Sequence, residues 1–268
     1  MSTIDELFTN LRAAGRKALM PFITAGDPDL EFSARVLAEV VGRGCHLCEV
    51  GIPYSDPIAD GPVIQASYTR ALEKHVRLEQ ILEMLDGVIP KLTAPVVTMT
   101  SYAIISRHAE EQYVDAVAEA GVAGIIAPDL PVEESAPLAK ICAERDISLI
   151  QLVTPTTPRE RTLRIAETST GFLYYVSVTG ITGERKELPA ELVDNVAWLR
   201  EQTALPICIG FGISDSEHVR MLAPVADGLI VGSAIVGRIA AAADEPREAV
   251  LKNIGNYVST LLGELSVA

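Results

Sequence analysis

The stretch of residues 206–234, PICIGFGISDSEHVRMLAPVADGLIVGSA, contains the repeating pattern that decides the fold. A short apolar run at 206–210 is followed by Ser214-Asp215-Ser216-Glu217, which has the form of a capping box and predicts a helix start. A second apolar run, 228–232, comes after that helix. Two strands separated by a helix in this spacing predict a parallel βαβ unit.

The same alternation recurs along the whole chain. Most strand candidates start roughly 25 residues apart, which is the length of one βα unit with its return loop. The eight candidates are 18–24, 46–51, 95–100, 122–127, 148–153, 172–177, 206–210 and 228–232. Eight repeats predict an α/β protein with the (β/α)8 TIM-barrel fold. A doubly wound open sheet is the alternative, and it is disfavoured because no G-x-G-x-x-G follows the first strand.

One connection is longer than the others. The gap after the second strand is about twice the usual length and holds two helix patterns, at 64–72 and 78–85. We therefore expect an extra helical insertion after strand 2, in addition to a helix before strand 1. No linker or low-complexity stretch divides the chain, so residues 1–268 are predicted to form one domain.

Composition and charge exclude several classes of protein. The formal net charge of −14 argues against a nucleic-acid or anionic-membrane partner, because no basic stripe exists to replace phosphate counterions. The N-terminus lacks a signal-peptide pattern, and the most apolar later segment is only about ten residues long, too short to span a bilayer. We expect a cytoplasmic protein with no membrane association.

Cysteine and histidine usage predicts no metal site. Cys45 and Cys48 form a C-x-x-C, but no second pair exists and the motif lies in a strand-like run. We interpret these residues, with Cys142 and Cys208, as core thiols, and a redox or metal role is the alternative. The four histidines lack metal-ligand spacing.

An acidic residue stands at the end of the second strand. Strand alternation puts Leu47 and Glu49 on one face and Cys48 and Val50 on the other. The outer face must pack against helices, so Glu49 is expected to point into the barrel mouth. Functional residues of such barrels gather at the C-terminal ends of the strands, which makes Glu49 a candidate acid–base catalyst. The alternative is a buried glutamate satisfied by backbone N–H groups or a hydroxyl.

A second acidic residue closes the loop that follows. Residues 52–62 contain three prolines and Gly61, and they predict a non-helical loop folding over the strand end. Asp60 can reach the mouth beside Glu49. One carboxyl could then stay protonated in an apolar environment while the other stays ionised. The alternative role for Asp60 is the N-cap of the following helix.

Glycines after the last two strands predict a phosphate site. Gly210 and Gly212 follow the seventh strand, and Gly232 with Ser233 follows the eighth. Loops in these places frequently bind phosphate in barrels, because glycine lets backbone N–H groups approach an anion and a helix N-terminus adds its dipole.

The loop after the sixth strand has the composition of a lid. Residues 179–189, TGITGERKELP, carry Gly180 and Gly183 on either side of Ile181 and Thr182, followed by a charged stretch. This pattern predicts closure on substrate. An ordinary surface loop is the alternative.

Residues 49–65, EVGIPYSDPIADGPVIQ, closely resemble the signature of tryptophan synthase alpha chains. Four shorter runs, 21–28, 129–134, 180–183 and 210–214, also resemble that family, in the same order. The resemblance covers nearly the whole chain.

The resemblance implies a lyase that cleaves indole-3-glycerol phosphate to indole and glyceraldehyde 3-phosphate in tryptophan biosynthesis. It implies that Glu49 is the acid–base catalyst and that Asp60 engages the indole N–H. The remaining implied substrate-binding residues are Phe22, Tyr174, Thr182, Gly183, Phe211, Gly212, Gly232 and Ser233. Retro-aldol cleavage requires a protonated indole C3, a stabilised ring nitrogen and a deprotonated glycerol hydroxyl, all of which two carboxyls can supply.

The resemblance also implies a partner. The family works with a beta chain that carries pyridoxal phosphate, so this chain is expected to hold no cofactor and to form an α2β2 heterotetramer. Tyr54, Asp56 and Pro57 match the family's contact with that partner. Ile104 departs from the pattern, because an asparagine is common there, and the departure affects the expected partner contact.

Other functions remain open at this stage. One alternative is a stand-alone indole-releasing lyase or another phosphate-binding barrel enzyme, such as a sugar-phosphate isomerase. A catalytically silent barrel that binds ligand and regulates a partner is the alternative from another class. Loss of Glu49 or Asp60 would favour it, and both are present.

Overall fold

Parallel strands form a barrel that closes through one broken strand. The computed structural model describes residues 2–57, 60–177, 190–210 and 212–266. The sheet order is β5-β4-β3-β2-β1-β9-β8-β7-β6. The strands are β1 Ala18–Thr24, β2 Cys48–Gly51, β3 Val96–Met99, β4 Gly124–Ile126, β5 Ser148–Ile150, β6 Leu152–Val153, β7 Leu173–Val176, β8 Ile207–Gly210 and β9 Gly228–Val231. This confirms the predicted TIM barrel.

The predicted fifth strand, 148–153, is two short strands that meet at Gln151. β5 pairs with β4, whereas β6 pairs with β7. The Tyr174 N–H donates to the Gln151 carbonyl over 3.1 Å. The chain therefore changes neighbours at Gln151, and this change closes the barrel.

Helices surround the barrel and form the connections between its strands. Both helices predicted after the second strand exist, as α3 and α4. The described helices are α1 Thr3–Ala13, α2 Leu30–Gly42, α3 Pro62–Glu73, α4 Leu78–Val88, α5 Tyr102–Arg107, α6 Glu110–Glu119, α7 Ala136–Glu144, α8 Arg159–Thr168, α9 Ala190–Gln202, α10 Ser216–Leu222, α11 Ser233–Ala240 and α12 Arg247–Leu265. No helix in the described part of the chain is long and apolar enough to cross a membrane.

Two apolar layers follow from strand alternation. Leu47 belongs to the cluster inside the barrel, while Cys48 and Val50 belong to the cluster between the barrel and the helices. Cys45 and Cys48 lie in that outer layer, with their Sγ atoms 3.5 Å apart and both side chains buried. The faces predicted for the second strand are therefore confirmed.

The N-terminal helix closes the bottom of the barrel. Ile4 and Phe8 of α1 belong to the interior cluster, and Phe8 packs on Phe172 with ring centroids 5.9 Å apart. Ile4 lies close to Gly124 and Gly171, at the starts of β4 and β7. The opposite end, where the strands finish, is left for the polar side chains.

The capping box predicted at the start of α10 is shifted by one residue. The N-cap is Asp215, whose side chain accepts hydrogen bonds from the N–H groups of Glu217 and His218. A carboxylate at this position satisfies two of the helix's unpaired N–H groups, so Ser214 is not needed as the cap.

Candidate active site

The Glu49 carboxyl lies inside the barrel, where no hydrogen-bond donor among the described residues reaches it. Its backbone pairs between Phe22 of β1 and Val97 of β3, and its side chain is fully buried. Neither carboxyl oxygen has a hydrogen-bond partner in the described part of the chain. The alternative interpretation, in which backbone N–H groups or a hydroxyl donate to the Glu49 carboxyl, is therefore wrong. Burial raises the pKa of the Glu49 carboxyl well above its usual range, because desolvation penalises the charged form.

Asp60 is the second carboxyl at this end of the barrel, and it is half-buried. Its N–H donates to the Pro57 carbonyl over 3.2 Å, and Gln65 Nε2 donates to the Asp60 carbonyl over 2.7 Å, so its backbone is held from both sides. The N-cap of α3 is Gly61, without a side-chain cap, so the alternative role of Asp60 as an N-cap is wrong. Burial raises the pKa of Asp60 to about 6.

The two carboxyls therefore differ in their preferred protonation state. Glu49 is fully buried and its pKa is strongly raised, which favours the neutral acid near pH 7. Asp60, with a pKa of about 6, is mostly ionised at that pH. This is the division expected of a carboxylate pair, with Glu49 as the member that favours the protonated form.

Aromatic rings pack around the two carboxyls. The Tyr174 ring is buried inside the barrel, and its pKa is raised by burial and further by the charges of Glu49 and Asp60. A Cβ on Gly210 would lie 2.4 Å from the Tyr174 hydroxyl, and one on Gly51 would lie 2.5 Å from Phe22 Cζ. Glycine at both strand ends is what allows these rings to approach.

Tyr68 is a site residue that the sequence analysis did not single out. It is 4% exposed and belongs to the same interior cluster as Phe22 and Tyr174. Its pKa is raised by burial, and then by the charges of Asp60 and Glu49. The available signal was the spacing of Ile64, Tyr68 and Ala71, which places these residues on one buried face of α3.

The predicted phosphate residues lie beside the same mouth. Gly212 has a φ of 79°, a conformation that favours glycine. Gly232 is the N-cap of α11 and Ser233 its first residue, so the N–H groups of the first helical turn point outward from the helix end. The Cβ position of Gly232 is 3.7 Å from Phe22 Cβ, so this helix start adjoins the Phe22 side chain.

Several predicted positions lie outside the described residues. These are the substrate-binding candidates Thr182, Gly183 and Phe211 and the predicted lid, residues 179–189. Their assignments stay predictions.

A narrow cleft of about 40 Å³ opens from the mouth along the loop that follows β2. It is lined by Ile52, Tyr54, Asp56, Pro57, Asp60, Tyr68, Met99, Ser101, Pro128 and Asp129. Asp129 accepts hydrogen bonds of 2.6 Å from the Ser101 hydroxyl and from the Tyr102 N–H. Ile104 lies beyond this cleft in α5, half-buried against the outer core. Its apolar side chain packs against the outer core cluster, and its effect on a partner contact stays a prediction.

Within the described ranges, no group of three or more histidine, cysteine, aspartate or glutamate residues could hold a metal ion. The two carboxyls of the site are accompanied by aromatic rings and glycines. The chemistry available to this arrangement is proton transfer to and from a flat, apolar ligand.

Known proteins are similar to this chain in both sequence and fold. A family model described as Tryptophan synthase alpha chain matches residues 8–261. The tryptophan synthase alpha chain of Rhodopirellula baltica is 58% identical over 250 residues, covering 92% of this chain and 90% of the relative. That of Prochlorococcus marinus is 48% identical over 243 residues, covering 90% and 88%.

Solved structures give the same result. The crystal structure of tryptophan synthase subunit alpha from Legionella pneumophila superposes with a TM-score of 0.91 at 33% identity, covering all of both chains. The structure of Mycobacterium tuberculosis tryptophan synthase gives a TM-score of 0.89 at 30% identity, covering 98% of both chains.

Proposed function

The chain belongs to the tryptophan synthase alpha chain family, which cleaves indole-3-glycerol phosphate to indole and glyceraldehyde 3-phosphate, and we propose that Glu49 and Asp60 carry out this reaction here. The observation that supports these roles best is the Glu49 carboxyl, which is fully buried and has no hydrogen-bond partner for either oxygen among the described residues. A buried polar group without a partner is costly, so its persistence at a strand end indicates a role with substrate.

Glu49 is proposed to act twice in proton transfer, first as an acid and then as a base. As the neutral acid, it protonates C3 of the indole ring and becomes a carboxylate. It then takes the proton from the hydroxyl on the carbon attached to C3, the C–C bond breaks, and the hydroxyl oxygen becomes the aldehyde oxygen. Glu49 ends in its starting form, so no cofactor is needed. The raised pKa of Glu49 supplies the acid required by the first step.

Asp60 is proposed to stabilise the charge that C3 protonation creates. The ring nitrogen becomes cationic, and an ionised carboxylate accepting its N–H lowers the energy of that state. A pKa of about 6 keeps Asp60 ionised at neutral pH. Phe22 and Tyr174 are proposed to hold the indole ring between the two carboxyls.

Backbone groups after β8 and β9 are proposed to bind the phosphate. Gly212, Gly232 and Ser233 supply N–H groups and a helix N-terminus, which suit an anion in a chain whose net charge is −14. Thr182, Gly183 and Phe211 are proposed to complete the substrate site.

The family implies a beta-chain partner. We propose that the complex is an α2β2 heterotetramer, that pyridoxal phosphate resides on the beta chain, and that the loop with Tyr54, Asp56 and Pro57 contacts that chain. A cytoplasmic location is also proposed.

Indole release from indole-3-glycerol phosphate tests the roles of the pair. We expect slow release by the purified chain, faster release with a beta chain, and a loss of at least about 100-fold for Glu49→Gln, because general acid–base catalysis contributes that much. Glu73→Gln, an exposed substitution in α3, is the control and should match wild type.

The outcomes separate the alternatives. Full activity that a beta chain does not change would favour a stand-alone lyase. No indole release even with the partner would overturn the proposed reaction and leave a phosphate-binding barrel. Undiminished release by Glu49→Gln would overturn only the assignment of Glu49.

A further inference from the structure

Tyr68 lies close enough to both carboxyls for their charges to act on it, although neither the proposed reaction nor the family motif assigns it a role. A Cβ on Gly51, two residues after Glu49, would lie 2.8 Å from the Tyr68 hydroxyl. On its other side, Tyr68 lines the same cleft as Asp60. The hydroxyl is therefore at the end of β2, between the strand that carries one carboxyl and the loop that carries the other.

Two polar contacts join α3 to the end of β1 and the loop after it, one before Tyr68 in the sequence and one after it. The buried hydroxyls of Ser67 and Thr24 are 2.6 Å apart. Arg70 donates to both oxygens of Asp27, over 2.8 and 2.6 Å. Since these links flank Tyr68, the position of its ring is set by the barrel and not by α3 alone.

Three side chains near the end of β2 have polar atoms that make no hydrogen bond within the described part of the chain. The hydroxyl of Tyr68 and the carboxyl oxygens of Asp60 and Glu49 have no hydrogen-bond partner among the described residues. The cleft lining contains the carboxyls of Asp56, Asp60 and Asp129, with no lysine or arginine among the described residues that line it. An ionised Asp60 therefore has to be stabilised by neutral donors.

Two other hydroxyl-bearing residues line the cleft, and neither suits this role as well as Tyr68. The Ser101 hydroxyl donates to Asp129 and is already used. Tyr54 is half-exposed, so water can satisfy it. The Tyr68 side chain is only 4% exposed, and the charged groups that act on it among the described residues are the carboxyls of Asp60 and Glu49.

We propose that, with substrate in the site, the Tyr68 hydroxyl donates a hydrogen bond to the Asp60 carboxylate and orients it toward the ring N–H. This inference rests on the function proposed above. Tyr68 is a positioning residue, because it acts through Asp60. Burial and the two neighbouring carboxyls raise the pKa of Tyr68, so it stays a neutral phenol and can only serve as a donor to an ionised partner.

The expected signature is a change in pH dependence. A donor to the ionised form of Asp60 lowers the pKa of this carboxyl, and removing the donor raises it. Asp60 must be ionised to accept the N–H, so the acid limb of the kcat profile follows that pKa. Glu49, Tyr174, Asp56 and Asp129 surround the pair and remain unchanged in a Tyr68 variant, so the shift reports the lost hydrogen bond.

The experiment measures kcat and KM against pH for Tyr68→Phe in complex with a beta chain. We expect the acid limb to move upward by about one pH unit, with kcat about tenfold below wild type on that side and KM little changed. Tyr175→Phe is the matched control, because it removes a hydroxyl from the outer face of β7, where Asn195 is its partner at 3.4 Å. An acid limb that coincides with wild type in Tyr68→Phe, or one that shifts in Tyr54→Phe instead, overturns the proposal.

A second readout does not need turnover. The carboxyl of Asp60 can be titrated by ¹³C NMR in the chain bound to indole-3-propanol phosphate, which keeps the ring N–H and the phosphate but lacks the hydroxyls. A higher pKa in Tyr68→Phe supports the proposal, and an unchanged one overturns it. If wild type releases no indole, the proposed reaction fails while this titration still decides the role of Tyr68.

Discussion

The surroundings of Glu49 determine how tightly its carboxyl binds a proton. A carboxyl that is fully buried, with neither oxygen hydrogen-bonded, binds its proton more tightly than one in water. Asp60 has the same side-chain chemistry one loop later, but its pKa rises only to about 6 because its burial is incomplete. The difference in burial thus distinguishes the proposed proton carrier from the proposed N–H acceptor.

The raised pKa of Glu49 has a consequence for stability. A carboxyl whose folded-state pKa exceeds its unfolded value of about 4.3 contributes stability that is present below that value and is lost as pH rises. Glu49→Gln removes this titration. The unfolding free energy of the variant should therefore rise relative to wild type between pH 5 and pH 8, by up to about 1.4 kcal/mol per pH unit.

Urea unfolding at both pH values measures this difference. The matched control is again Glu73→Gln, which should leave the pH dependence of wild type in place. A difference between Glu49→Gln and wild type that is the same at pH 5 and pH 8 would contradict the prediction.

At the scale of elements, α3 links the catalytic loop to the barrel. It begins directly after Asp60 and Gly61, carries Tyr68, and packs against β1 and α11. Its strongest polar link is the bidentate pair from Arg70 to Asp27, whose carboxylate is 1% exposed. A change in this pair should disturb both stability and the geometry of the mouth.

Arg70→Met tests that link. It leaves the Asp27 carboxylate buried without its partner, and we expect a loss of about 2–4 kcal/mol in the free energy of unfolding. Arg35→Met breaks the comparable pair with Glu248, which is 82% exposed, and should cost less than about 1 kcal/mol. Chemical denaturation of the two variants measures the contrast, and equal losses would show that the burial of Asp27 does not matter.

Individual elements also separate what the sequence predicts well from what it predicts poorly. The two apolar faces of β2 follow from alternation, and the helices after it follow from apolar stripes; both are as predicted. The cap of α10, in contrast, is shifted from Ser214 to Asp215, whose side chain accepts from the N–H groups of Glu217 and His218. Neighbouring polar side chains compete for the same donors, and a sequence motif does not state which one wins.

On the scale of the whole molecule, the barrel is closed at its bottom by α1 and around its circumference at Gln151. Phe8 of α1 is 2% exposed and packs on Phe172 inside the barrel. We expect Phe8→Ala to lower the free energy of unfolding by about 3–5 kcal/mol, since it opens a cavity in the interior cluster.

The control for Phe8→Ala is Asn10→Ala, an exposed position in the same helix, which should change the free energy of unfolding by less than about 0.5 kcal/mol. Denaturant unfolding of both variants gives the comparison. Similar values for the two would mean that α1 is not part of the interior packing.

The order of residues alone predicts the repeating strand and helix pattern, the inward face of Glu49, and the loops in which Asp60, Gly212 and Gly232 lie. These features depend on periodicity and spacing, which are local properties of the chain. Three further features require the three-dimensional structure: Glu49 has no hydrogen-bond partner among the described residues, both carboxyls act on Tyr68, and the barrel closes at Gln151. Those properties depend on burial and on contacts between residues far apart in the chain, because desolvation and charge act through space and not along the sequence.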